Sequence, residues 1–404
     1  MQPKQYPRLM LAVLTGLNIV NYIDRNVLIP VQPLVKEEFH LSDAQIGMLT
    51  TTFFLSYMFA GPLVGWLADR YPRRYIIVPG ILVWSGFTFL TWLVRDYHQL
   101  LFRHTIVGIG EASYAAIAPA LIADSFPVER RGRMLSIFYL GLPLGSALGI
   151  AIGGPLGQQF GWRVPFMIAG IPGFLLALLL WFLPEPQRGQ SEAASSSLER
   201  STVLGLLRNK AFIFANLGMA AYTFAAGGLQ VWFPTYLHRM RGLDVARAGL
   251  IFGLIAGVNG IVATLIGGWL GDRMLQRRSG AYYTFSGINM LIAVPFMVLA
   301  VYVSGRAMFP LIFVAVFFLL IVTSPSNAAV VNSVDAGIRS TALAVNMFVI
   351  HLLGDASSPY VIGAISDRTN LQFGFWIAFL AAAVSGVIFL CGARFAPKLA
   401  AAHE

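Results

Sequence analysis

Among the ionisable residues inside long apolar runs of this sequence, three stand out, because charge acts most strongly where water is scarce. Asp24 and Arg25 fall in a run at 9–31, and Glu111 in one at 98–122. An unpaired charge at the centre of a membrane helix costs roughly 2.5–3.5 kcal/mol, so three would cost roughly 8–10 kcal/mol. That is comparable with the whole stability of a typical domain. Such groups persist by pairing or by facing a wetted space, and there they bind protons or attract an ion of opposite sign.

Spacing groups them. Asn18, Asn21 and Arg25 recur at i, i+3 and i+7, one face of a helix, with Asp24 about 100° round from Arg25. His104, Gly108, Glu111 and Ala115 form a second stripe, with Arg103 beside it and Tyr114 near Glu111. At a rise of about 1.5 Å per residue, Asp24, Arg103 and His104 lie roughly 8–10 Å from the outer ends of their runs, and Glu111 roughly 20 Å in. An acid and bases at matching depth predict an ion pair across two helices. Glu111 is the candidate group that changes protonation. Two plainer readings stand beside this one: a structural polar knot, and, for Arg103, a side chain that snorkels to the outer headgroups.

The elements that hold these residues follow from composition. The 404-residue chain is 57% hydrophobic and only 11% charged, with a mean hydropathy of +0.70, whereas soluble domains carry roughly 25% charged residues. A span needs about 20 apolar residues, and the sequence divides into twelve such runs. The expected fold is an all-α polytopic membrane protein, with twelve transmembrane helices in two pseudo-symmetric six-helix bundles at 1–186 and 210–404. A Ser/Ala-rich linker at 187–209 would join them on the cytoplasmic side. The runs are continuous rather than alternating, which disfavours a β-barrel. The first run carries polar residues and no small-residue cleavage site, so it reads as a retained span. Cys391 is the only cysteine, so the chain forms no internal disulfide.

Net charge is +10, and its placement sets topology. Eighteen of the 28 Lys and Arg fall at the termini and even-numbered loops, including Lys4, Arg188, Arg200 and Lys398, against eight in odd-numbered loops. The positive-inside rule puts both termini in the cytoplasm, which implies the cytoplasmic (inner) membrane. Basic residues dispersed over so many loops do not make a nucleic-acid site.

Gly65-Trp66-Leu67-Ala68-Asp69-Arg70 returns as Gly268-Trp269-Leu270-Gly271-Asp272-Arg273, half a chain later. Arg73 and Arg74 follow the first copy. Parallel repeats are a common plan for transporters. Asp69, Arg70, Arg73, Arg74, Asp272 and Arg273 are candidates for a latch at the cytoplasmic mouth, with Asp124 or Glu129 as acid partners; ordinary anchoring is the alternative. Gly141, Gly145, Gly149 and Gly153 give the fifth span one smooth face, for static packing or for sliding. Pro143, Pro155, Pro325 and Pro359 would bend their helices. In the second half, Trp232, Tyr236, Asn327, His351 and Asp355 are candidate cavity residues. An interfacial aromatic belt equally explains Gln230, Trp232, Phe233 and Tyr236, and a structural hydrogen bond explains His351 and Asp355. No phosphate loop, zinc spacing or nucleophile elbow occurs, which disfavours an enzyme and an ATP-driven pump.

The chain resembles the major facilitator superfamily along essentially its whole length, through the segment 65–74 and its echo at 268–273. Within it, the spinster branch is the better match. Asn21-Tyr22-Ile23-Asp24-Arg25, Gly108-Ile109-Gly110-Glu111-Ala112-Ser113-Tyr114 and the 137–149 segment ending Pro143-Leu144-Gly145-Ser146-Ala147-Leu148-Gly149 carry that resemblance. It implies two six-helix bundles that open alternately to each side, carrying lysophospholipid or sphingolipid-type amphiphiles, often with proton coupling. It also implies that Asp24, Arg25 and Glu111 hold the coupling and binding positions. In one place the sequence departs: the family's arginine four residues before Gly108 is His104 here, with Arg103 one residue earlier.

The expected function is a proton-coupled secondary transporter of an amphiphilic, anionic, lipid-like molecule. It would act as a monomer, with no cofactor and the proton gradient as energy source. Symport of a small organic anion or drug export is the alternative within transport. A transceptor or scaffold that moves nothing is the alternative outside it.

Overall fold

A computed structural model describes residues 6–186, 205, 206, 208–335 and 338–397. Most of the predicted linker (187–204 and 207) lies outside the described residues. So do Lys4, Arg188, Arg200 and Lys398, and the side chain of Glu129.

The first half runs α1 (Tyr6–Phe39), α2 (Asp43–Arg70), α3 (Arg74–Phe89), α4 (Tyr97–Ser125), α5 (Val128–Tyr139), α6 (Gly141–Phe160) and α7 (Arg163–Phe182). The second runs α8 (Lys210–Arg241), α9 (Val245–Leu275), α10 (Ala281–Tyr302), α11 (Met308–Leu320), α12 (Thr323–Asn332), α13 (Arg339–Ile350), α14 (Ser358–Arg368) and α15 (Leu371–Gly392). Among the described residues, eleven helical stretches are long and apolar enough to cross a membrane. The 34-residue α1 is long enough as well, but its asparagines, Asp24 and Arg25 dilute its hydropathy.

The prolines decide where spans break. A proline lacks the N–H and crowds the carbonyl four residues back. The fifth span parts at Leu140, beside the carbonyl of Tyr139 that Pro143 would crowd. The tenth parts at 321–322, four residues before Pro325. The eleventh contains a π-helical turn, His351–Asp355, that ends four residues before Pro359, and Gly354 within it leaves helical geometry (φ −104°, ψ −106°). Pro155 is absorbed within α6.

Two compact units form. Unit 1 is Met1–Ala194 with Trp232–Gly257, and unit 2 is Ser195–Val231 with Val258–Glu404. In unit 1 the glycine stripe of α6 receives α1. A Cβ at Gly141 would meet Asn18 at 2.8 Å, at Gly149 the Ile23 carbonyl at 2.7 Å, and at Gly153 Pro30 at 3.0 Å. Only glycine permits that approach, so α1 and its polar face are fixed against α6. The hydrophobic core of unit 1 includes Leu14, Leu17, Ile81, Trp84, Tyr114, Ala118 and Ala177. Trp232–Gly257, which falls in the predicted second bundle, packs with unit 1. Thr235 donates to Gln32 (3.1 Å), Arg239 to Asp43 (2.7 Å), and Gly253 backs onto Ala151. In unit 2, Asn346 donates to Asn216 (3.0 Å), Ser385 to the Gly218 carbonyl (2.7 Å), and Thr223 to the Ile350 carbonyl beside the π-turn (3.2 Å).

Candidate functional site

The charged residues of α1 and α4 meet inside unit 1. Arg25 Nη2 and Nε reach Glu111 Oε2 at 2.7 and 3.1 Å. The Glu111 side chain has no accessible surface, while 14% of Arg25 remains accessible. The pair therefore joins a fully buried carboxylate to a side chain that keeps some accessible surface. Four rings surround it: Tyr22 and Phe53 at 4.9 Å, Tyr57 at 5.0 Å and Phe54 at 5.7 Å from Cζ. Such rings stabilise a cation through their negative faces without neutralising it.

Glycines make this meeting possible. A Cβ at Gly108 would lie 2.5 Å from the Phe53 carbonyl, so α2 approaches α4 and brings its aromatics to Arg25. A Cβ at Gly110 would meet Trp84 N at 2.8 Å and the Gly80 carbonyl at 2.9 Å, so α3 closes from the other side. Each flanks Glu111, which explains the Gly-x-Gly-Glu spacing by backbone approach.

The remaining predicted residues divide. Asp24 is buried and accepts from Thr88 Oγ1 at 2.6 Å; the depth match with Arg103 and His104 is not what it uses. The Asn21 amide lies against the Glu111 carboxyl, yet Asn21 Nδ2 and Glu111 Oε1 are both buried short of a formed hydrogen bond. His104 is buried with its ring 6.2 Å from that of Phe53, so it borders the aromatic box. Arg103 forms no ion pair or hydrogen bond among the described residues, and its Nη1 is buried. Tyr114 is buried and donates to the Leu14 carbonyl, tying α4 to α1.

At the repeated hexapeptide, Arg73 pairs with Asp124, and Glu185 caps the start of α3 through the Arg73 and Arg74 amides (3.0 and 3.3 Å). Arg74 also donates to the Trp181 carbonyl (3.2 Å). Asp272 accepts from Tyr282 OH at 2.6 Å. Arg70 and Arg273 fold back over Trp66 and Trp269. Asp69 is exposed.

The five second-half candidates divide between the two units. Trp232 and Tyr236 are fully buried in unit 1, which excludes an exposed aromatic belt for these two. Asn327, His351 and Asp355 belong to unit 2. His351 Nδ1 sits 2.9 Å from Asp355 within the π-turn, and Asn327 donates to its own helix at Thr323 O (2.8 Å). Sequence reading missed Thr88, the aromatic box, Glu185 and Asp43. The spacing Phe53, Phe54, Tyr57 at i, i+1 and i+4 was a signal for the box, since it puts three rings on one side of α2.

The family model of the major facilitator superfamily matches residues 14–359. Zebrafish (Danio rerio) protein spinster homolog 3 is 33% identical over 381 residues, covering 89% of this chain and 76% of its own length. The chain belongs to the spinster branch of the major facilitator superfamily. The sphingosine-1-phosphate transporter SPNS2 of Xenopus tropicalis is 34% identical over 373 residues, covering 87% and 72%. In fold, the chain matches a solved bacterial homologue of the human lysosomal transporter spinster, in an inward-facing and unoccupied conformation. That match has a TM-score of 0.89 at 24% identity, over 98% of this chain and all of that one. A D-xylose–proton symporter matches with a TM-score of 0.78 at 16% identity. The spinster-type chain is thus an integral membrane transporter and not an enzyme, with the major facilitator fold.

Proposed function

We propose that this chain is a proton-coupled secondary transporter of an anionic amphiphile of lysophospholipid or sphingolipid type, working by alternating access. Its six-helix bundles would be 1–186 and 210–404, joined by a linker at 187–209. It would act as a monomer in the cytoplasmic (inner) membrane, with both termini in the cytoplasm and no cofactor beyond the proton gradient.

One observation carries the reading: an arginine side chain that keeps some accessible surface, bound to an inaccessible carboxylate. While Glu111 is ionised, it holds Arg25. A proton delivered to Glu111 removes that attraction and leaves Arg25, still steadied by its four rings, free to take an anionic headgroup. Loss of the proton returns Arg25 to Glu111 and expels the headgroup. Asp24, held by Thr88 on the neighbouring α3, would gate the proton, and His104 stands near enough to Phe53 to sense the state of the box. The repeat residues Asp69, Arg70, Arg73, Arg74, Asp272 and Arg273 would latch the cytoplasmic side. A relative named for sphingosine-1-phosphate supports the amphiphile, and the charge asymmetry of the loops supports the topology.

Glu111→Gln removes the proton-binding group at nearly constant shape. In proteoliposomes it is expected to abolish accumulation driven by a pH gradient while the protein stays folded. Wild-type uptake under that gradient would overturn the assignment. A compact charged box also suits a small carboxylate, so symport of small organic anions, or drug export, is the second reading. Competition between lysophospholipid and small-acid candidates separates the two.

A further inference from the structure

The repeated hexapeptide continues a surface lane in each half whose apolar side chains the proposed transport mechanism does not use. On α2, Phe59, Leu63, Trp66 and Arg70 stand exposed at i, i+4, i+7 and i+11, and on α9, Val258, Val262, Leu265, Trp269 and Arg273 stand exposed at i, i+4, i+7, i+11 and i+15. Trp66 is 49% and Trp269 60% exposed. The opposite face of α9 holds Asn259, Ala263, Gly267 and Gly271. Bulky apolar side chains point outward and small ones inward, which is the arrangement of a helix solvated by hydrocarbon.

Each lane ends in a cation folded onto its tryptophan. Arg70 Cζ lies 4.2 Å from the Trp66 ring centroid and donates to the Trp66 carbonyl at 3.1 Å. Arg273 Cζ lies 5.5 Å from the Trp269 ring. Neither guanidinium pairs with a carboxylate among the described residues; the neighbouring Asp272 is engaged by Tyr282. Eleven residues separate Phe59 from Arg70 and Val262 from Arg273, about 16 Å of helix. One leaflet contributes about 15 Å of hydrocarbon. An acyl chain laid along the lane therefore brings its phosphate level with the arginine, where the ring holds the guanidinium in place.

We infer that each half carries a docking site for one anionic phospholipid of the leaflet at the motif's end, its chain against the Phe59–Trp66 or Val262–Trp269 lane and its phosphate on Arg70 or Arg273. The site is separate from the Arg25–Glu111 pair, and its assignment does not depend on which molecule is carried. A general interfacial anchor would use the same residues without headgroup preference, and that is the distinction to test.

Full-length protein in detergent is equilibrated with equal amounts of phosphatidylglycerol and phosphatidylcholine, and retained lipid is counted by native mass spectrometry. Wild type is expected to prefer phosphatidylglycerol. The R70Q/R273Q variant should lose about fivefold of that preference per site, and R70K/R273K should keep most of it. No wild-type preference, or one unchanged in R70Q/R273Q, overturns the inference. Should R70Q/R273Q not fold, brominated lipids decide on the native chain. Brominated phosphatidylglycerol should quench tryptophan emission more than brominated phosphatidylcholine, with the difference lost in W66F/W269F. Equal quenching by both lipids overturns the inference.

Discussion

Unit 1 and unit 2 both hold polar groups among apolar helices, but they join them differently. In unit 1 the ionisable groups reach across helices, Arg25 of α1 to Glu111 of α4 and Asp24 of α1 to Thr88 of α3. In unit 2 the buried amide contact between helices is neutral, Asn346 to Asn216. Its ionisable pair, His351 and Asp355, stays within a single turn. A charged pair across helices makes their packing depend on protonation. A neutral amide pair holds at any pH, and a local pair acts only on the bend of its own helix. On this comparison, the proton-dependent step proposed above falls to unit 1.

The largest effect is expected from breaking the pair on one side. Arg25→Leu leaves a buried carboxylate without its cation, at a cost of about 3–5 kcal/mol. It should appear as a lowered unfolding temperature in detergent and as lost transport. Adding Glu111→Leu replaces both charges with packing and should restore most of the stability but none of the transport. A double variant as unstable as the single one would mean that the uncompensated carboxylate is not the source of the cost.

A smaller effect tests the other side. Asn346→Leu removes an interhelical hydrogen bond, worth about 0.6 kcal/mol on average in membranes and at most about 1.7. Stability should fall by that order, and the pH dependence of uptake should keep its wild-type shape. A pH profile altered as strongly as by Glu111→Gln would erase the contrast between the units.

Much of this contrast was legible in the sequence, for a physical reason. Charges inside apolar runs are too costly to be accidental, so Asp24, Arg25 and Glu111 stood out from residue type alone. The glycines at intervals of four in α6 likewise announced a smooth face. Their partner, α1, did not follow from the pattern, because small residues permit close approach without selecting what approaches. Which base meets which acid was also hidden. Depth counted along straight helices favoured Asp24 with Arg103 or His104, whereas the contact goes to Arg25, whose long side chain covers the difference in depth. The aromatic box escaped because Phe53, Phe54 and Tyr57 look like ordinary lining until a cation is placed among them. Trp232 and Tyr236 follow the linker in chain order yet fall in unit 1, because the C-terminal end of α8 and the start of α9 pack there.

The smallest effect sharpens the comparison by moving the same chemistry into water. At the C-terminal end of α1, beyond the apolar run, Glu38 accepts from Arg163 Nη1 and Nη2 (2.8 and 2.6 Å) and from Trp162 Nε1 (2.6 Å). The hydrogen bond from Arg163 holds the Glu38 carboxyl below its ordinary range. A carboxyl with a lower pKa folded than unfolded adds stability at neutral pH, and that stability disappears as pH falls through the folded value. Glu38 is partly exposed, so screening limits the contribution to about 0.5 kcal/mol. Glu38→Gln should therefore lower the unfolding temperature slightly at neutral pH, and the two proteins should converge below about pH 4. Uptake should be unchanged. A gap that widened on acidification would reverse the sign assigned to Glu38. A loss as large as that of Arg25→Leu would mean that burial is not what separates the Arg25–Glu111 pair from an exposed one of similar geometry.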